Sequence, residues 1–362
     1  MGTKTSPSLR QKAGAIIHDL PRFLWAMRPV RSYRSGKAPW VRMRNRDERL
    51  IAGEAGRGAQ CDWQWTSDLH ISKVYPALGR MLMKRALRDW PIKLMAEPVR
   101  QDNGVEVSFI IGHRGKERLP HLLATLRSIA AQRKVDFECI VVEQSLLEEV
   151  RERLPQWVRY VHTPLPDPDL PYCRSWAFNV GARKAKGGIL VLHDNDLLAP
   201  QDYASELAAR CKEGYEVINL KRFIFYAGES LSKRLFYAQE SVMAEPPETI
   251  MQNALGGGSL AVTRGAYFAL GGFDESFVGW GGEDNEFWER AQTLSVWPFG
   301  YLPFVHLWHA DQTGKFGRER FTARLFERRS AIPATQRIRE LTTRDFGSLE
   351  RMNPPYERRE QV

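Results

Sequence analysis

No apolar run in this chain approaches the roughly 20 residues needed to cross a bilayer, and the opening residues 1–14 lack the apolar core of a secretory signal. A cytoplasmic protein is therefore expected, with a peripheral stay at the inner face of a membrane as the variant of that reading. Cysteine is scarce and scattered: Cys61, Cys139, Cys173 and Cys211 show no C-x-x-C spacing, which argues against a disulfide framework and against a thiolate zinc site. Cys139 lies inside an apolar run and reads as a buried thiol. Internal repeats and low-complexity segments are also missing. What remains is a chain of 362 residues, long enough for one large domain with appendages or for two modest ones.

Acidic charge is in deficit, and the formal net charge is +10. Such a surplus admits nucleic acid, an anionic membrane face or a phosphate-bearing small molecule as partner. The excess gathers at the ends, in residues 28–49 and 318–339, which fits surface contact by the tails and not a nucleic-acid cleft. Nucleic acid is not expected as a partner.

The chain is organised around residues 271–290, GGFDESFVGWGGEDNEFWER. Gly279, Gly281 and Gly282 bracket Trp280, so the backbone there can adopt left-handed conformations that other residues avoid. From Glu283 the spacing becomes helical. Phe287, Trp288, Ala291 and Leu294 recur on one side, and Glu286, Glu289 and Arg290 on the other. Glu283 and Asp284 fall in the first turn, where free N–H groups and the helix dipole favour carboxylates. Capping would explain two acids, but it requires neither the tryptophan nor the glycines, nor the upstream run Gly256, Gly257 and Gly258.

Taken in order, residues 1–100 form a basic extension, partly helical. Its apolar stretch Ala15–Met27, interrupted at Pro21, reads either as a helix docked on the main domain or as an amphipathic segment on a membrane. Residues 72–90 read as one helix. From Val105 strands and helices alternate, the mark of a mostly parallel sheet covered on both faces. Strands are expected at 107–111, 137–142, 158–161 and 189–192, with helices at 119–132, 146–154 and 175–185. A further strand, 301–305, reads as an edge. The catalytic unit spans 101–314, and residues 315–362 form a charged helical tail.

Ligands of open α/β sheets sit beyond the carboxyl ends of the strands. Gly112 to Lys116 follows the first strand, and Asp194-Asn195-Asp196 follows the 189–192 strand, so both belong to that rim. Arg114 and Lys116 suit phosphate oxygens, and the paired aspartates suit a hard divalent cation that phosphates also bind. His306 and His309 are the remaining candidate ligands. His309 is favoured because it stands at the polar exit of its apolar run. Imidazole joined to carboxylate suits Mn²⁺ better than Mg²⁺.

With these pieces in place the sequence resembles the GT-A glycosyltransferases, in particular those sharing a galactosyltransferase-like C-terminal half with the beta-1,4-galactosyltransferases and the bacterial chondroitin-type polymerases. The likeness runs from about Val105 to Gln312 through four blocks in shared order. These are VSFIIGHRGKERLPHLLATL, YCRSWAFNVGARKA, LVLHDNDLLAP and GGGSLAVTRGAYFALGGFDESFVGWGGEDNEFWERA.

The resemblance implies an α/β, Rossmann-like, mostly parallel central sheet flanked by helices, with extra helical segments at both termini. It also implies an inverting, metal-dependent transfer of galactose or an N-acetylhexosamine from a UDP-sugar to a hydroxyl of a glycan or glycolipid acceptor, in bacterial surface polysaccharide or glycolipid synthesis. Asp284 would be the base and Glu283 would position hydroxyls. Arg114, Lys116, Asn179, Asp194, Gly257 and Trp280 would bind the donor. Asp196 and His309 would hold Mn²⁺ (or Mg²⁺).

Gly112-His113, Val278 and Asn285 depart from the family pattern. The rival readings are a retaining transferase of the polypeptide N-acetylgalactosaminyl type, which shares the Trp-Gly-Gly-Glu loop, and a non-enzymatic basic protein that binds membrane or nucleic acid.

Overall fold

A computed structural model describes residues 6–29, 38–52, 58–61, 66–99, 104–165, 167–237, 242, 245–252, 257–310 and 321–350. Arg31 and Arg34 of the basic stretch 28–49, and Gly256, lie outside them. The alternating texture after Val105 gives a seven-stranded sheet, ordered Val296–Trp297, Val217–Ile218, Ser259–Thr263, Ile189–His193, Val107–His113, Phe137–Ser145, Arg159–Pro164. Its strands pair in parallel except at Ser259–Thr263, which runs against both neighbours. The three central runs are buried on both faces, as their continuous Val, Ile and Leu content requires.

That reversed strand matters for the site. It pairs Ser259 with His193, so the glycines before it lie where the strand Ile189–His193 ends, and the Asp194 amide donates to the Gly258 carbonyl at 2.8 Å. Gly258 has φ +86°, a conformation that glycine takes at little cost.

A second sheet of five strands runs Ser67–Asp68, Thr249–Gln252, Lys221–Tyr226, Leu302–His306, Leu197–Leu198. The strand read as an edge is therefore interior: Leu302–His306 is paired on both sides, because the chain just after Asp196 returns as Leu197–Leu198 to cover it. The basic N-terminal stretch supplies Ser67–Asp68, which pairs with Thr249–Gln252. It also buries Trp40, whose indole donates to Asp89 at 2.8 Å.

Three local expectations change. The helix expected at 72–90 is two, His70–Val74 and Pro76–Asp89, since Pro76 has no N–H to continue the ladder and biases Tyr75 away from helical geometry. The expected helix 146–154 reduces to one 3₁₀ turn, Arg151–Arg153. There the buried Glu143 carboxylate accepts the amides of Glu149 and Val150 at 3.1 and 3.3 Å and so competes with the helical ladder. Pro21, read as an interruption, instead opens the helix Leu20–Ala26, where its missing N–H costs nothing.

The helix Glu283–Ala291 buries both of its sides. Phe287 stacks on Phe273 with ring centroids 4.3 Å apart. The opposite side, which carries Glu286, Glu289 and Arg290, is covered by the helices Phe321–Ser330 and Ala334–Thr342. Arg290 meets Glu286 in a fully buried two-pronged pair, Nε–Oε1 2.8 Å and Nη2–Oε2 2.7 Å. Arg337 adds a second guanidinium, 3.1 Å from Glu286 and 2.7 Å from Glu289. The two arginines hold the Glu286 carboxyl below its ordinary range even though burial pushes it the other way. Such pairing makes the C-terminal helices part of the support for the first turn, where Glu283 and Asp284 sit.

Candidate active site

The rim at the carboxyl ends of Val107–His113 and Ile189–His193 brings the separate motifs together. Its centre is a residue the sequence reading left without a role, Arg174, at the start of the helix Arg174–Lys184. One Nη donates to Asp194 at 2.6 Å; the other donates to Asp284 and lies 3.4 Å from Glu283. The guanidinium fork thus holds three carboxylates drawn from two distant segments. Arg174 lies inside the YCRSWAFNVGARKA block, but no local pattern tells an arginine that gathers acids from one that is solvated.

The carboxylates it holds differ. Glu283 is the more buried of the helix pair, and desolvation, aided by Asp284 and opposed by Arg174, raises its pKa to about 7. Its Oε2 is buried without a hydrogen-bond partner among the described residues, an acceptor left for a substrate hydroxyl. Burial lifts Asp194 to about 6 against the pull of Arg174. Asp284 turns its Oδ2 toward Gly257, where a Cβ would stand 3.5 Å away. Lys221, also unassigned from sequence, is buried nearby. Desolvation lowers its pKa to about 7, although Asp284 and Asp194 oppose that shift, and its ammonium donates to the Ser259 carbonyl.

The raised Glu283 carries a test with a definite sign. An unfolded chain releases this proton near pH 4 and the folded chain near pH 7, so the favourable contribution is fully present below about pH 4 and is lost as pH rises through about 7. Glu283→Gln, always neutral, is expected to melt above the parent at pH 8, with the gap closing toward pH 4. Melting curves across that range, with chelator and without donor, give the answer. A gap that does not change with pH would assign the raised proton affinity to another group.

Asp196 stands beside the two histidines. The Nε2 atoms of His306 and His309 lie 3.6 and 3.5 Å from its two oxygens. One donor atom from each residue can be chosen so that all three fall within 4.8 Å of one another. The Leu307 amide donates to the Asp196 carbonyl at 2.8 Å and ties the two segments together. His309 shares its Nδ1 proton with the Ala310 carbonyl at 2.8 Å, which leaves the Nε2 lone pair facing Asp196. His306 stacks on Tyr226, with centroids 4.4 Å apart. The structure thus does not single out His309: both imidazoles reach the carboxylate. Arg118, a further residue missed from sequence, lies 3.4 Å from Asp196. Burial would raise the Asp196 pKa, but His306, His309 and Arg118 bring it below the ordinary value. One carboxylate and two imidazoles in this arrangement fit a divalent transition ion.

The other expected contacts separate. Arg114 lies on the rim and donates to the Leu170 carbonyl at 2.6 Å, and Lys116 is exposed beside it. Gly112 has a packing reason, since a Cβ would stand 2.1 Å from the Tyr172 hydroxyl. Asn179 does not belong to the site. It is fully buried; its amide donates to Phe273 and Glu275 at 2.9 Å each, and its oxygen accepts from Tyr267 and the Phe273 amide. No hydrogen bond is left for a donor, and the residue fastens the turn that leads into the tryptophan loop.

Trp280 sits half-exposed at the tip of that loop between Gly279 (φ +96°) and Gly281 (φ +93°), as the glycine spacing predicts. The loop is held by the Gly279 amide on the Tyr172 carbonyl at 2.9 Å and by the Thr322 hydroxyl on the Trp280 carbonyl at 2.7 Å.

Comparison with known proteins bears on the fold and the family. Residues 115–266 match the model described as glycosyl transferase family 2, and residues 243–297 match the model described as the N-terminal domain of galactosyltransferase. A chondroitin synthase of Escherichia coli is 26% identical over 297 residues, covering 69% of this chain and 41% of that protein. The chain therefore spans about two fifths of the length of that relative. Two family matches that overlap in the Gly-rich strand, on a mostly parallel α/β sheet whose rim gathers the acidic motifs, support a glycosyltransferase of the GT-A, family 2 kind with a galactosyltransferase-like C-terminal part.

Proposed function

We propose that this glycosyltransferase moves a sugar, galactose or an N-acetylhexosamine, from a UDP-sugar to a hydroxyl of a glycan or glycolipid, with inversion and with a divalent metal. The observation that carries the reading is the Arg174 fork, which sets the Glu283 and Asp284 pair beside Asp194 while Asp196, His306 and His309 converge on the same turn. Acid groups for proton transfer and a ligand set for a metal and diphosphate thereby share one rim.

In this mechanism Asp284, oriented by Arg174, takes the proton of the attacking hydroxyl, and Glu283 accepts a hydrogen bond from the same or a neighbouring hydroxyl. An inverting displacement needs one such base, unlike the pair used in glycoside hydrolysis. Arg114 and Lys116 meet the nucleotide, Asp194 lies near the ribose and Gly257 lets the donor approach the base. Trp280 covers donor and acceptor when the loop closes, keeping water from the reacting carbon. A divalent ion at Asp196, His306 and His309 would neutralise charge on the departing diphosphate. Two imidazoles favour Mn²⁺ over Mg²⁺ in that place. The likeness to a chondroitin synthase supports a role in bacterial polysaccharide synthesis.

A panel of nucleotide sugars with Mn²⁺, read as released UDP with and without saccharide acceptors, tests the reaction. No turnover of any UDP-sugar would reject it. For the metal, Asp196→Ala, His306→Ala and His309→Ala are each expected to weaken Mn²⁺-dependent UDP binding by at least about tenfold. Calorimetry of UDP with and without Mn²⁺ checks this. If one histidine variant binds as the parent does, that imidazole is not a ligand.

A further inference from the structure

The N-terminal stretch Ala15–Asp19 and the helix Leu20–Ala26 bury one side and leave apolar residues exposed on the other. Ala15, Asp19, Phe23 and Ala26 face the body of the protein. Around them the attachment is firm: the buried Arg222 guanidinium donates to the Val41 carbonyl at 2.6 Å and also to that of Met43. The Tyr75 hydroxyl reaches the Lys12 carbonyl at 3.2 Å. This bears out the docked-helix reading for the inward side only.

On the outward side a soluble helix would be polar. Here Leu9, Ile16, Ile17 and Leu24 are between 50% and 85% exposed, with Trp25 39% exposed beside them. Ile16 and Ile17 lie in the π-helical turn Ala15–Asp19 and Leu24 in the helix Leu20–Ala26, and all three are exposed where Ala15, Asp19, Phe23 and Ala26 of the same two elements are buried. Arg10, Lys12 and Arg28 of the same segment are also exposed. The single acid of residues 6–29, Asp19, is buried on the inward side. The outer face thus combines apolar side chains with positive charge and carries no negative charge.

We propose that this face is a docking surface for an anionic phospholipid bilayer, lying in the plane of the headgroups with Ile16, Ile17 and Leu24 inserted and Arg10, Lys12 and Arg28 on lipid phosphates. Charge complementarity selects this occupant: a second copy of the chain would bring the same positive residues face to face, whereas an anionic surface pairs with all of them. Among the described residues no helix is long and apolar enough to cross a membrane. Contact of this kind is interfacial. The proposal stands on the helix alone and does not depend on which donor or acceptor the enzyme uses.

The full chain is spun with vesicles of phosphatidylcholine alone and of phosphatidylcholine mixed with phosphatidylglycerol, at low and high salt. The parent is expected to sediment with the anionic vesicles and to be released by salt. The double variant Ile17→Glu/Leu24→Glu should lose at least about tenfold in partitioning, and Arg10→Glu/Lys12→Glu should lose binding to anionic vesicles. Both should keep the parent's circular dichroism and melting temperature, since neither touches the inward side. Failure of the parent to bind anionic vesicles overturns the proposal, as does unchanged binding by the folded variants. A dimer in solution that Ile17→Glu/Leu24→Glu dissociates would give the face to a second copy and overturn it equally.

Discussion

Asp284→Asn is expected to lower sugar transfer by about 10² to 10⁴ while leaving Mn²⁺-dependent UDP binding close to that of the parent. The expectation rests on a division of labour within one rim. Asp284 comes from the first turn of the helix Glu283–Ala291, whereas the ligand set comes from the turn after Ile189–His193 and from the residues after Leu302–His306. An amide of the same shape keeps a contact to Arg174 through its oxygen but cannot take up a proton. Asp284, with its side chain 24% exposed against 9% for Glu283, is also the one of the pair more open to an incoming hydroxyl. Initial rates under saturating donor, set beside UDP calorimetry on the same preparation, separate chemistry from binding. If Glu283→Gln loses more rate than Asp284→Asn, the two roles are reversed.

Arg174→Met should have the largest effect on stability. It would leave Asp194, Glu283 and Asp284 together without the cation that joins them, and removal of one partner from a buried ionic cluster costs about 3–5 kcal/mol. The penalty has a sign in pH. Carboxylates that have lost their cation hold protons more tightly when folded than when unfolded, so the loss is small near pH 4 and full above pH 7. Arg174→Lys restores the charge but not the fork, and should recover part of the stability with little of the rate. Urea unfolding at pH 5 and pH 8, alongside transfer rates for both variants, tests the argument. A methionine variant as stable as the parent at pH 8 would show that the three acids do not depend on this guanidinium.

The sequence by itself determined the parts whose physics is local. Apolar runs such as Val107–His113 and Ile189–His193 have to be strands buried on both faces, and those runs also mark the rim where Asp194 and Asp196 emerge. The glycines around Trp280 were legible because positive φ is a property of a single residue, and the first-turn placement of Glu283 and Asp284 followed from helical spacing. Only the tertiary structure decided which charges meet. Arg174 finds Glu283 and Asp284 more than a hundred positions away, and Arg337 finds Glu286 across fifty-one. Spacing on the helix Glu283–Ala291 separates an apolar from a polar side, but packing of the C-terminal helices covers the polar side and pairs its charges. Asn179 changed role for the same reason: an amide in a motif looks like a ligand contact until the turn from Phe273 to Glu275 folds over it and takes up its hydrogen bonds. Side-chain periodicity is written in neighbours along the chain, whereas the partner of a buried charge is set by which distant segments pack against it.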